Sequence, residues 1–341
     1  MGRIVEIDIL RTLVIISALL LHFNAKYCLG FLIAPSSIVQ NCIFTVGGFF
    51  FFTAGYMARK IYLNRFLKNP KLCSKAIFIK GLKILSIYIV YVFFMHIFLD
   101  ISIPKNVIAF LFSHDFFTKV LFTFGLLYMI TPFFLFIYFK NINIIIFILG
   151  LSIILVLVYN DQWPLHYSLK ILLLDRKLFL YPLIPSLVVY IVGFLISTIE
   201  ISYKSKFSSL KSLLFMFIII SFHLFLSKYI YIYSDFIHKK QYFTLIESFT
   251  PYIAILMVRY ICSIDLVSKY IMSFRILCIG IFSLHFYVIS NLLLSLLHLS
   301  KQSAFFYKLF GLIGVFFLSY IFTYWRFKSI YGTKTLTKRI T

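Results

Sequence analysis

Three ionisable side chains lie in or at the edge of the first apolar run of the chain: Asp8, Arg11 and His22. Charged and titratable groups are costly in lipid, so a functional role is the first expectation for them. Arg11 and His22 are eleven positions apart. On a helix that is three turns plus about 20°, so both leave the same face, separated by about 16 Å along the axis. Asp8 precedes Arg11 by three positions and falls on the same side, where it can pair with the guanidinium. One stripe then presents a carboxylate–guanidinium pair near one membrane face and an imidazole deeper in the bilayer. A cation so placed can hold phosphate or orient a polarised carbonyl. A neutral imidazole can take a proton from a hydroxyl or carry an acyl group. The same residues also allow a purely structural arrangement, with Arg11 as an interfacial anchor and His22 as an interhelical hydrogen bonder.

The other candidates are fewer. His285 lies inside an apolar run and is expected to hydrogen-bond between helices. The remaining histidines fall mostly near run ends, no pair shows ligand spacing, and no metal site is expected. The five cysteines form no CxxC pair, which argues against a disulfide framework or zinc site.

The elements that must position these groups are apolar helices. Of 341 residues 62% are hydrophobic and 13% charged, with mean hydropathy +1.01, where soluble domains carry about 25% charged residues. Runs long enough to cross a bilayer are predicted at 9–32, 38–58, 77–99, 119–139, 142–159, 183–199, 210–230, 247–262, 271–297 and 303–325. The expected fold is therefore all-α: a polytopic membrane protein of about ten transmembrane helices, one domain over 1–330 and a short basic tail at 331–341. The connections at 104–117 and 160–182 are the segments that could cover a site.

Lysine and arginine number 33 against ten acidic residues. This excess falls in short connections, and the base–aromatic interleaving of single-strand binders is absent, so no nucleic-acid partner is expected. With ten spans, the segments on the side of the termini hold 22 of the 33 cations, which predicts cytoplasmic termini by the positive-inside rule. Residues 59–83 dominate the count with Arg59, Lys60, Arg65, Lys68, Lys71, Lys75, Lys80 and Lys83. This cluster reads either as a topology anchor in contact with membrane lipid or as a landing site for a polyanionic cytoplasmic ligand.

The sequence Ile7-Asp8-Ile9-Leu10-Arg11, followed after ten residues by His22-Phe23, resembles the opening of the membrane-bound acyltransferase family 3. Further fragments follow in the family's order. Phe49-Phe50-Phe51-Phe52-Thr53-Ala54-Gly55-Tyr56 is similar to its F-F-x-x-S-G-[FY] second helix, with Ala54 where serine is usual. The run from Lys80 to Tyr88 is similar to its R-x-x-R-I-x-P-x-Y start of the third helix, with Lys80 and Lys83 for the arginines and Ser86 for the proline. Tyr128 to Pro132 fits a Y-x-x-x-P fragment, and Gly280 to His285 resembles its S-x-x-I-Y-L-x-H segment.

The resemblance implies an O-acyltransferase of the cell inner membrane. It would move an acetyl or other acyl group from cytoplasmic acyl-CoA to a hydroxyl of an extracytoplasmic or lipid-linked carbohydrate. Arg11, steadied by Asp8, would contact the donor, Lys80 and Lys83 would meet its phosphates, and His22 would activate the acceptor hydroxyl. Lysine in place of arginine keeps the charge but loses the bidentate fork. The alternative reading is a secondary transporter or flippase of a sugar-containing or lipid-linked substrate. The lack of deep carboxylates and of paired, broken helices weighs against it.

Overall fold

In the computed structural model of the chain, the described residues are 4–27, 46–98, 110–111, 119–159, 163–164, 166, 169–170, 173, 181–202, 236–262, 278–297 and 305–331. The span predicted at 210–230, most of the connections at 104–117 and 160–182, and the tail from 332 lie outside them. Among the described residues the fold is helical and contains no strand. Such an outcome follows from the solvent, because in lipid a helix satisfies its own backbone donors and acceptors.

The helices are α1 (Val5–Tyr27), α2 (Val46–Met57), α3 (Leu63–Lys68), α4 (Pro70–Phe98), α5 (Lys119–Lys140) and α6 (Ile142–Val158). They are followed by α7 (Leu183–Ser202), α8 (Phe236–Cys262), α9 (Cys278–Ile281), α10 (Ser283–Leu296) and α11 (Phe305–Tyr331). Four of them, α4, α5, α7 and α11, are long and apolar enough to cross a membrane. Shorter apolar helices are α6, residues 250–262 of α8, and α10. The predicted span 77–99 begins earlier than expected, at Pro70, because Lys71 and Lys75 belong to the same helix as the apolar run that follows.

The described chain divides into two compact units, one formed by residues 1–46 and 254–341, the other by 47–253. In the second unit α4 and α5 run in opposite directions. Lys80 meets Tyr128 at one end of the pair and Tyr88 meets Phe122 further along. α2 and α7 run the same way, with Phe51 beside Tyr181, Gly55 against Tyr190 and Arg59 bonded to Thr198. Their approach depends on glycine. A Cβ on Gly55 would lie 1.9 Å from the Tyr190 carbonyl oxygen, and one on Gly193 would lie 2.2 Å from that of Phe52. Small residues of this kind let helices pack closely where lipid removes the hydrophobic drive between them. α5 also runs with α7, through Tyr190–Thr131 and Tyr138–Phe194.

α2 continues into α3 through a π-helical turn, Ala58–Tyr62. The extra residue of a π turn re-aims the side chains around it, and such turns gather at functional sites.

In the first unit α1 and α10 run in the same direction. Asp8 lies against Gly280, His22 against Asn291, and Tyr27 against Leu297. α11 returns antiparallel to α10, with Phe282 beside Phe327 and Phe286 beside Phe316. The N-terminal end of α1 and the C-terminal end of α11 are therefore at the same end of this unit.

Candidate functional site

The stripe expected on the first helix exists as one continuous helix, so Arg11 and His22 keep their shared face. Six positions of α1, Asp8, Thr12, Ile15, Leu19, His22 and Lys26, follow the alternating spacing of four and three that keeps a seam facing a parallel neighbour. Asp8, Thr12, Ile15 and Leu19 are buried, and Arg11 and His22 are half-buried.

The neighbour is the rod formed by α9 and α10. Near the start of α1 the approach is so close that a Cβ on Gly280 would stand 1.9 Å from the Asp8 carbonyl oxygen and 2.6 Å from Thr12 Oγ1. Thr12 donates its hydroxyl to that same carbonyl at 2.9 Å. The rod bends at Phe282, between the two helices, at φ −106° and ψ 40°. At the far end Lys26 donates to the carbonyls of Leu294 (2.8 Å) and Ser295 (3.1 Å), and Tyr27 donates to that of Leu297. These carbonyls end a helix and have no donor within it, so a cation from α1 suits both their lone pairs and the dipole of α10.

Between the two clamps lies the polar centre. Asn291 Nδ2 donates to the Tyr287 carbonyl at 2.8 Å, which fixes the amide so that its oxygen faces α1. That oxygen is 2.7 Å from His22 Nδ1. An amide oxygen can only accept, so His22 carries its proton on Nδ1 and the basic lone pair on Nε2. The Tyr287 ring meets the imidazole edge-on, with centroids 5.9 Å apart. A neutral, oriented imidazole held by a second side chain is the arrangement that general-base catalysis uses.

Sequence reading missed Asn291 and Tyr287. The available signal was an amide within the apolar run 271–297, six residues beyond the histidine that attracted attention. His285 itself faces another neighbour. Its Nδ1 is 3.4 Å from Thr323 Oγ1 on α11, an interhelical contact of the expected kind.

Lys80 and Lys83 belong to the second unit. The Lys80 ammonium donates to the hydroxyls of Tyr62 (3.1 Å) and Tyr128 (3.2 Å) and stands 4.4 Å from the Tyr128 ring centroid. Lys80 is itself exposed, as is Lys83 three positions later. The π turn supplies two more engaged cations. Arg59 donates to Thr198 at 3.1 Å and lies 4.9 Å from the Tyr138 ring centroid. Lys60 donates to Tyr56 Oη at 2.8 Å, and Tyr56 in turn donates to Glu200 at 2.5 Å.

No family model matches this sequence, and no curated protein matches it. The chemistry of the site therefore rests on its own geometry. Among the described residues no group of three or more His, Cys, Asp or Glu is placed to hold a metal ion.

Proposed function

We propose that the protein is a membrane O-acyltransferase that moves an acyl group from acyl-CoA to a carbohydrate hydroxyl. The observation that carries this reading is the relay from the Tyr287 carbonyl through the Asn291 amide to His22 Nδ1. It commits the imidazole to the tautomer whose Nε2 can take a proton. In the proposed step the acceptor hydroxyl gives its proton to Nε2 as its oxygen attacks the acyl carbon. The new C–O bond forms, the C–S bond breaks, and the imidazolium returns the proton to the leaving thiolate. Arg11, on the same face of α1 but about 16 Å away along the axis, is suited to hold a donor phosphate rather than the reacting carbonyl. The ten-span topology with cytoplasmic termini belongs to the same proposal. The parallel course of α1 and α10 supports it, because the first and ninth of ten crossings run the same way.

The test compares envelope glycans by mass spectrometry from cells carrying the wild-type protein and the His22→Ala variant. The expected result is an added acyl mass with the former and its loss with the latter, at equal membrane abundance. Undiminished acylation by the variant would remove His22 from the mechanism, whereas accumulation of unchanged substrate in sealed vesicles without acylation would overturn the reading and leave transport in its place.

A further inference from the structure

The cations of residues 59–83 divide into two sets that look alike in sequence. Arg59, Lys60 and Lys80 turn onto tyrosines and polar groups of their own unit. Arg65, Lys68, Lys71 and Lys75 stand on the outer side of the α3–α4 hairpin, all exposed. From Asp8 to Asp100 the chain contains no acidic residue.

The hairpin that carries the outer set is well built. Leu63, Phe66, Cys73 and Ile77 are buried along its inner side. Asn69 joins the two helices, and its Oδ1 accepts from the Leu72 backbone N–H at 3.0 Å. Pro70 opens α4, where its missing N–H costs nothing. Two large apolar side chains stand exposed among the cations, Leu67 at 52% and Leu72 at 67%. Water alone offers no reason for that mixture.

The exposed face of α4 supplies the reason. Its cations end at Lys83, and exposed Val90, Phe94 and Phe98 follow further along the same helix. Ammonium groups give way to hydrocarbon in the order in which a leaflet passes from headgroups to acyl chains. Leu67 and Leu72 fit the boundary between them, where long basic side chains lay their stems on apolar surface and lift their charges to the phosphates.

We propose that the outer side of the α3–α4 hairpin binds anionic phospholipid headgroups of the adjoining leaflet through Arg65, Lys68, Lys71 and Lys75. A soluble polyanion would not call for the leucines. Near an anionic surface each cation contributes about fivefold in affinity, less under salt screening. This surface uses none of the residues assigned to acyl transfer, so it stands whether or not that reading does.

The experiment places the full chain in nanodiscs of equal parts phosphatidylcholine and phosphatidylglycerol and counts co-purifying lipids by native mass spectrometry. The wild-type protein is expected to retain phosphatidylglycerol preferentially. The R65Q/K68Q/K71Q/K75Q variant is expected to lose that preference by about a hundredfold or more once screening is allowed for, while R65K/K68R/K71R/K75R keeps it. Should the neutralised variant not fold, the wild-type preference is read against added salt and must fall as ionic strength rises. Retention of the full preference by a folded neutralised variant, or by the wild type in high salt, would overturn the proposal. Displacement of the lipid by excess acyl-CoA would overturn it as well, and would assign the surface to a soluble polyanion.

Discussion

At the scale of single residues, the proposed transfer depends on His22 first and on Asn291 next. It accepts from the imidazole while its own amide is held by the helix that carries it. Asn291→Leu removes the acceptor and leaves a half-buried N–H without a partner, a loss of about 1–3 kcal/mol. It also frees the ring to adopt the other tautomer. Acyl transfer by this variant is expected to fall about 100-fold or more, whereas Asn291→Asp, which keeps an acceptor in place, retains activity within about tenfold of wild type. Rates measured on purified protein with acyl-CoA and a soluble glycan acceptor would decide between them. A wild-type rate in the Asn291→Leu variant would remove Asn291 from the mechanism.

At the scale of elements, the close pairing of α1 with the α9–α10 rod holds that geometry. It depends on Gly280, whose backbone meets the Asp8 carbonyl where no Cβ fits. Gly280→Ala is expected to push the rod off α1 and destabilise the protein by about 1–3 kcal/mol, read as a lower melting temperature in detergent. Acyl transfer should fall with it, since Asn291 moves with the rod. In the second unit the π turn is held by Tyr56, Lys60 and Glu200. Tyr56→Phe deletes the hydroxyl that bridges the other two, at a cost of about 1 kcal/mol or more. A thermal midpoint unchanged from wild type would show that the bridge contributes nothing.

At the scale of the whole molecule, helix direction is the quantity that topology fixes. The N-terminal end of α1 and the C-terminal end of α11 lie together in the first unit, and within the second α2, α5 and α7 run opposite to α4. For a chain crossing ten times with cytoplasmic termini, reporter fusions at both ends should give the cytoplasmic signal, and cysteines placed at 65 and 71 should be labelled only from that side. A terminus reporting from outside would refute the ten-span topology. Four of the predicted spans, 77–99, 119–139, 183–199 and 303–325, fall on described helices long and apolar enough to cross a membrane, because an unbroken run of apolar residues is legible in sequence. The break at Phe282 inside the run 271–297 was not legible, since a change of backbone angles at one apolar residue leaves no mark in hydropathy.

Composition by itself determined that the chain is helical and apolar enough for lipid, and spacing by itself determined that Arg11 and His22 share a face, because helix periodicity is a local property. Which neighbour that face meets was decided only by the tertiary structure. Asn291 lies 269 positions from His22. That Lys80 rests on Tyr62 and Tyr128 was decided there too. Charge and hydropathy are the same for every lysine, and only packing tells which of them finds a tyrosine.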